Sequence, residues 1–461
     1  MDAMTSMCAA FVRAHVLSLS DQPASDLEGA EAIAASFREP APKTGTALDA
    51  ILERLRPAIA KSLNTAGPGY LAFIPGGGIY SAALADYVAT SINRYVGVKM
   101  AAPALAQIES TAIAWVAEMM GCGAATGGIL TTGGSLSTFT AVVTARTSKL
   151  PEDFLRGTLY VSSQTHLSVA KAARLAGFPA DRVRSIEVDA RHRMIPEAFE
   201  RGVVDDRARG LTPFFVVANI GTTNTGAVDP LEDILAIAER HGLWVHADGA
   251  YGGFFRLVAR AAALMKGLER CDSITLDPHK GLFLPYGNGC LLVRDPDALR
   301  RAHETDADYL RDVASEDGPP DFTNISPELS RDFRGLRLWL PLALHGVEAF
   351  RTQLDEKLRL ARLVYDELAS DPAFEMQGEP QLSIVCFRLR GMRGESAAQT
   401  DARGQALHKR VIARRRVFMS STTLGGRFAL RICVLSFRTH EERVREAIAA
   451  LREEAATEPR A

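Results

Sequence analysis

Residues 271–289, CDSITLDPHKGLFLPYGNG, set Lys280 directly after a histidine, at the end of an apolar run and ahead of a glycine-punctuated turn. A lysine there either reaches solvent or is partly desolvated. In the second case its lowered pKa makes it a nucleophile able to form a Schiff base with an aldehyde. Three earlier segment ends carry residues of complementary chemistry. The stretch GGILTTGGSLSTFTAVVTAR (127–146) is a Gly-rich turn running into a helix. It is an ordinary helix start, or else the N–H groups of Gly134 and Ser135 receive an anion such as phosphate, which amide donors and the helix dipole both favour. His166, in SSQTHLSVAKAARLAG, is a helix cap or an imidazole stacked on a flat heteroaromatic ring. Asp248 closes the apolar run of LWVHADGAYGG, where a carboxylate is seldom buried without a partner. That partner is a salt-bridging side chain or a cationic atom of a cofactor. Each feature alone has its plain explanation. An anion cradle, a stacking imidazole, a buried carboxylate and a nucleophilic amine, in this order, together describe a pocket for pyridoxal 5′-phosphate.

Such a set has to be held by strand ends. Between about residues 100 and 300 the apolar runs TLYVSS, PFFVVANIG, LWVHAD and SITLD alternate with the helical stretches HLSVAKAARLAG and PLEDILAIAERHG. This pattern predicts βαβ units and a mainly parallel sheet covered on both faces, which places ligands at the carboxyl ends of its strands. Residues 1–65 carry apolar residues at helical spacing, broken by Pro23, Pro40, Pro42 and Pro57; they cannot make a core alone and need another surface, such as a second subunit. After a long helix over 341–370, LSIVCFRL, the basic helix QALHKRVIARRR, FALRICVLSF and a helix from Glu441 predict a smaller α+β domain. The polar, acidic stretch 306–330 reads as a long mobile loop. The expected organisation is an N-terminal helical segment (1–65), a large α/β domain (66–340) with a mobile loop at 304–328, and a small C-terminal α+β domain (341–461).

Composition bounds the partners. With 53 Lys+Arg against 55 Asp+Glu in 461 residues, the net charge of −2 supplies no field towards nucleic acid or an anionic membrane, so any phosphate is held locally. The start, MDAMTSMCAAFVRAHVLSLSDQP, is interrupted by Arg13 and His15 and does not read as a signal peptide or anchor. Six scattered cysteines show neither metal spacing nor a disulfide framework, as expected of a reduced cytoplasmic protein without a metal site.

Taken further, the chain resembles the group II pyridoxal-phosphate-dependent decarboxylases, the family of aromatic amino acid, glutamate and related decarboxylases. The resemblance rests on PGYLAFIPGGG (68–78), PALAQIEST, GGILTTGGS, QTHLSVAKAARLAG, GTTNTGAVDPLEDI, LWVHADGAYGG, DSITLDPHKGLFLPYG, ELSRDFRGLRLW and VFMSSTTLGGRFALRICVLSFRTHEE, over about residues 65–445. It implies an α/β type I aminotransferase fold, a homodimer, and decarboxylation of an L-amino acid to the amine and carbon dioxide. It further implies that Lys280 holds pyridoxal 5′-phosphate and later acts as acid or base. Gly134, Ser135, His279 and Asp277 would bind the phosphate, His166 would stack on the ring, and Asp248 would pair with the ring nitrogen. Thr223 and Ala250 would line the same cavity. A carboxylate at that nitrogen keeps it protonated, so the ring can accept the electron pair released at Cα.

Three departures bear on specificity and product. Gly281 stands where many members carry tryptophan, which is expected to enlarge the cavity wall. Lys99 occurs where an apolar or aromatic residue is common: at the pocket mouth it would favour an acidic substrate, and as a solvated loop lysine, the preferred reading, it would do nothing. Phe322 falls on the loop position where animal and plant aromatic decarboxylases carry a tyrosine that protonates the carbanion. A phenylalanine has no proton to give. Unless Tyr309 or His166 supplies one, the electron-rich intermediate reacts with dioxygen to an aldehyde, ammonia and peroxide. The entrance is expected from YLAFIPGGGIY, with Tyr70 and Phe73 stacking on a substrate or serving as core aromatics, and Gly76 leaving space. No arginine is assigned to a distal carboxylate, so an aromatic or bulky apolar substrate is preferred. Two alternatives to the amine-forming enzyme stand beside it. One is a related activity, aldehyde-forming or carbon–carbon lyase. The other is a non-catalytic protein that keeps the fold, against which the intact Lys280, Asp248 and His166 count.

Overall fold

The structure, a computed structural model, describes residues 1–304 and 318–457. Short runs rich in Val, Ile, Leu and Phe between Gly, Pro and Asp become its strands, as their fit to a pleated, buried surface requires. In chain order these are β1 (Tyr70–Leu71), β2 (Gly127–Thr131), β3 (Gly157–Ser162), β4 (Val183–Ile186), β5 (Thr212–Asn219), β6 (Trp244–Gly249), β7 (Ser273–Leu276), β8 (Gly289–Val293), β9 (Phe374–Met376), β10 (Ile384–Leu389), β11 (Phe418–Leu424) and β12 (Arg427–Cys433).

Seven of them form one sheet in the order β2-β8-β7-β6-β5-β3-β4. The neighbours from β7 to β4 run parallel, and β8 is antiparallel to both β7 and β2. The carboxyl ends of β2, β3, β5, β6 and β7 therefore emerge along one edge, where the expected site residues lie. Register brings Asn219 of β5 beside Asp248 of β6, and Asp248 beside Thr275 of β7. The central strands are buried throughout, Phe215 to Ala218 without exposed surface, as strands covered on both faces must be. Behind the Gly-rich turn the helix Gly134–Lys149 buries hydroxyl residues that are satisfied inside the helix: Thr140 and Thr144 donate to the carbonyls of Leu136 and Thr140, at 2.9 and 2.8 Å.

The chain divides into two compact units. One contains the seven-stranded sheet and comprises Gly78–Arg359 and Gly378–Ile384. The other comprises Met1–Gly77, Leu360–Gln377 and the chain from Val385. This grouping differs from the expected one: residues 1–65 stand with the C-terminal segments, and 341–359 stand with the large sheet. The cause on the N-terminal side is backbone pairing, since β1 lies parallel to β11 and the Ala24 N–H donates to the Arg415 carbonyl at 2.7 Å. The second unit has its own core, in which Leu71, Val364, Phe387, Leu407, Leu430 and Val444 are buried together. Its helices Asp2–Ser18, Ala30–Ser36 and Leu48–Ala60 bury none of their side chains. Pro57 does not break the last of these; it lies inside it on an exposed helix, where water can satisfy the carbonyl that loses its donor. The expected helix over 341–370 runs from Gly335 to Ala369 with a break at Gly346 (φ 71°, ψ 155°), its residues divided between the two units at Arg359 and Leu360.

Candidate active site

A cavity of about 260 Å³ opens at the carboxyl edge of the large sheet. Its lining includes Gly133 to Leu136, His166, Asn219, Thr222, Thr223, Asp248, Ala250, Tyr251, Asp277, His279 and Lys280. All nine residues expected from the sequence to hold a cofactor, Gly134, Ser135, His166, Thr223, Asp248, Ala250, Asp277, His279 and Lys280, meet in one cavity, although they are spread over 147 positions of sequence.

The Gly-rich turn is built for close approach. Gly133 has φ 151°, which a residue with a side chain rarely adopts. A Cβ added at Gly134 would sit 3.1 and 3.4 Å from the two Asp277 carboxylate oxygens, so glycine keeps that space open. The Leu136 and Ser137 N–H groups donate to the Gly133 carbonyl at 3.0 and 3.2 Å, which leaves those of Gly134 and Ser135, both lining the cavity, as the first-turn donors available to an anion. Thr131 fixes the turn from β2: its Oγ1 accepts from the Gly133 N–H at 3.2 Å and lies 2.8 Å from Ser137 Oγ.

Lys280 sits in the short helix Pro278–Gly281 just after β7, with Nζ 2.8 Å from Asp277 Oδ2. Asp277 is nearly buried, and its Oδ1 has no hydrogen-bond partner. A carboxylate has no donor to offer a phosphate, so Asp277 serves here as counter-ion to Lys280, and anion binding falls to the turn. His279 Nδ1 lies 2.6 Å from the Asn288 carbonyl, and burial holds its pKa below the usual histidine value. Burial likewise pushes the Asp248 carboxyl up, opposed by Lys280, by the Ala250 N–H at 3.2 Å and by His166. His166, whose Nδ1 is 2.8 Å from Ser168 Oγ, is lowered by burial against the pull of Asp248. It is the neutral imidazole that stacks best on a cationic ring.

These residues fit pyridoxal 5′-phosphate. An amide cradle suits its phosphate, a buried carboxylate that gains from a cationic neighbour suits its protonated ring nitrogen, and an amine suits its aldehyde.

Other expectations change. Lys99 is buried, contrary to the reading of a solvated loop lysine; its backbone N–H donates to Asp321 Oδ1 at 2.6 Å, and it is not among the residues that line this cavity. Phe322 is fully buried, with the Arg331 guanidinium 4.8 Å above its ring, and it too lies outside the lining. Arg331 in turn pairs with buried Glu109 at 2.5 Å. An aromatic clamped in this way does not occupy a loop-tip proton-donor position. Tyr309 lies outside the described residues. Gly281 does not enlarge the wall either, because Phe254 fills the space: a Cβ there would be 2.8 Å from Phe254 Cβ. Tyr70, Phe73 and Gly76 belong to the other compact unit. There Tyr70 is buried and stacked on Phe418 at 5.8 Å, while Phe73 is exposed with φ 48° and Gly76 is buried.

Sequence reasoning missed Asn219, Thr222 and Tyr251 as lining residues. Asn219 carried the same signal as Asp248, a polar residue closing a buried apolar strand.

A mainly parallel sheet with this cavity at its carboxyl edge defines a pyridoxal-phosphate enzyme of the type I fold. The model of the pyridoxal-dependent decarboxylase conserved domain matches residues 31–390, and the chain belongs to that family. It is 33% identical over 430 residues to an aromatic-L-amino-acid decarboxylase of Bacillus atrophaeus, covering 93% of this chain and 90% of that one. It is 31% identical over 436 residues to tryptophan decarboxylase 1 of Oryza sativa subsp. japonica, with 89% and 85% covered. The crystal structure of Oryza sativa TDC with PLP and tryptamine superposes with a TM-score of 0.94 at 27% identity, covering 99% of this chain and 97% of that one. The protein is a pyridoxal-phosphate-dependent amino acid decarboxylase.

Proposed function

We propose that the protein decarboxylates an aromatic L-amino acid to its amine, as a cytoplasmic homodimer. The observation that carries the chemistry is the meeting of Lys280, Asp248, His166 and the Gly134–Ser135 turn in one cavity. Aromatic specificity is supported by the names of the relatives.

When bound, the cofactor supplies an electron-withdrawing ring that accepts the electron pair of the bond broken at Cα. The chain's own residues then have separable tasks. Lys280 supplies the amine that holds the cofactor aldehyde, and Asp277 Oδ2, 2.8 Å away, keeps that amine in place. Asp248 holds the proton on the ring nitrogen, because its buried carboxylate gains most from a positive neighbour. The N–H groups of Gly134 and Ser135 receive the phosphate, with His279 beside them. His166 covers one ring face and excludes water from it. Thr223 and Ala250 complete the wall.

Aldehyde formation was motivated by Phe322, and its burial beneath Arg331 removes that motive. Dimerisation is supported by the N-terminal helices that bury nothing of their own and by exposed Tyr80, Leu84, Val88 and Ile92, which recur on one face of the helix Tyr80–Ile92.

The test is to incubate purified holoprotein with aromatic, aliphatic and acidic amino acids while measuring carbon dioxide, amine, aldehyde, peroxide and dioxygen together. Amine and carbon dioxide in equal amounts from an aromatic substrate, with dioxygen unconsumed, is the expected result. Preference for glutamate would overturn the substrate class, and stoichiometric dioxygen uptake would overturn the product.

A further inference from the structure

Beneath the cavity lies a buried polar network that the reaction does not use directly. Asp229, in the segment GTTNTGAVDPLEDI, is 1% exposed and accepts three hydrogen bonds: from the Met194 N–H (2.7 Å) to Oδ1, and from the Asn219 N–H (2.8 Å) and Nδ2 (2.7 Å) to Oδ2. Asn219 ends β5 beside Asp248 and lines the cavity. Its Nδ2 reaches two further acceptors, Ser162 Oγ at 3.1 Å and Thr165 Oγ1 at 3.0 Å. The amide has two hydrogens, so one goes to Asp229 and the other is shared between the two hydroxyls.

Those hydroxyls shape the turn that ends in His166. Thr165 Oγ1 accepts from the Ser162 N–H at 2.9 Å, and the Thr165 N–H donates to the Ser162 carbonyl at 3.0 Å. The backbone between β3 and the helix Ser168–Leu175 is thereby closed into a tight loop, with Thr165 as its pin and His166 next in sequence. Asp229 fixes the orientation of the Asn219 amide, since its acceptor oxygens force Nδ2 and not Oδ1 to face it. The amide orientation then decides that Thr165 receives a donor.

We infer that Asp229, Asn219 and Thr165 are positioning residues for His166, setting the plane of its ring over the cofactor through the chain Asp229–Asn219–Thr165. The inference rests on the reading that His166 stacks on that cofactor. Burial pushes the Asp229 carboxyl up to about 6 against these donors, so above that pH it is the full acceptor the network needs.

The test uses full-length holoenzyme and reads the visible circular dichroism of the bound cofactor and its dissociation constant, with kcat and KM recorded beside them. Thr165→Val removes the acceptor at nearly constant volume. It is expected to weaken cofactor binding and lower kcat by about tenfold each, in line with the cost of a small misplacement at a reactive centre, and to change the visible dichroic band. Thr165→Ser restores all three. Asp229→Asn, which leaves one amide oxygen for the three donors of Asn219 and Met194 and turns an N–H towards one of them, is expected to act in the same direction; where it fails to fold, Thr165→Val alone decides. An unchanged band with a dissociation constant within about twofold of the original in Thr165→Val overturns the inference. His166→Ala separates the two levels. If it also leaves the band and the affinity unchanged, the stacking reading falls and takes this inference with it; if it alters them while Thr165→Val does not, only the inference falls.

Discussion

Lys280, Asp248 and Phe322 separate residues that work by charge from one that works by packing. Lys280→Ala removes both the amine and the counter-ion of Asp277, so turnover is expected to vanish while the protein folds with a melting point a few degrees lower; near-normal activity would refute the role. Asp248→Asn keeps shape and loses charge. It is expected to retain the cofactor and lose at least about a hundredfold in kcat, as when one preorganised electrostatic partner is removed. An unchanged rate would show that the ring nitrogen finds its proton elsewhere. Phe322→Leu opens a partial void under Arg331 and is expected to cost about 1 kcal/mol of stability in chemical denaturation, with the ratio of amine to aldehyde unaltered. A shifted product ratio would return Phe322 to the chemistry. Phe254, beside Gly281, teaches the same lesson: the absence of a large side chain at one position leaves no hole when a neighbour supplies the volume.

Among the elements, β6 joins stability to pH. His246 is fully buried in this strand, its ring stacked on Phe215 at 5.7 Å and its Nδ1 2.8 Å from Ser273 Oγ, which also accepts from Trp244 Nε1 at 2.8 Å. Burial without a charge partner lowers its pKa from 6.5 to about 3. The folded state thus excludes a proton that the unfolded chain binds below about 6.5, so this stabilisation is present above that pH and is lost progressively as pH falls towards 3. His303, lowered to about 4 for the same reason, adds to the acid limb. His246→Phe keeps the stack on Phe215, leaves Ser273 to Trp244 and removes the titrating group. Thermal melts between pH 7 and 4 are expected to show a shallower decline for this variant than for the natural chain. Parallel declines would place the acid sensitivity elsewhere.

For the molecule as a whole, sedimentation in place of activity is the direct measurement. If the exposed apolar residues of the N-terminal helices meet a second copy, the natural chain sediments at twice the chain mass. The double substitution Ile51→Glu and Leu55→Glu, at positions 43% and 36% exposed, shifts it towards the monomer without unfolding either compact unit. A natural chain that remains monomeric at micromolar concentration would overturn the dimer. Among the described residues no helix is long and apolar enough to cross a membrane.

The sequence by itself determined four strands of the large sheet, β3, β5, β6 and β7, and the residues at segment ends, Gly134, Ser135, His166, Asp248 and Lys280, that line its cavity. Both are local signals: an apolar run names a strand, and a polar residue at its carboxyl end is conspicuous because burying it demands a partner. That Lys99 and Phe322 are buried is visible only in the tertiary structure, Phe322 beneath Arg331, because a side chain's environment is made by whatever folds against it. The same holds for the N-terminal segment, whose grouping with the C-terminal chain rests on the backbone bond from Ala24 to Arg415, across more than 300 residues of sequence, which no local pattern can announce.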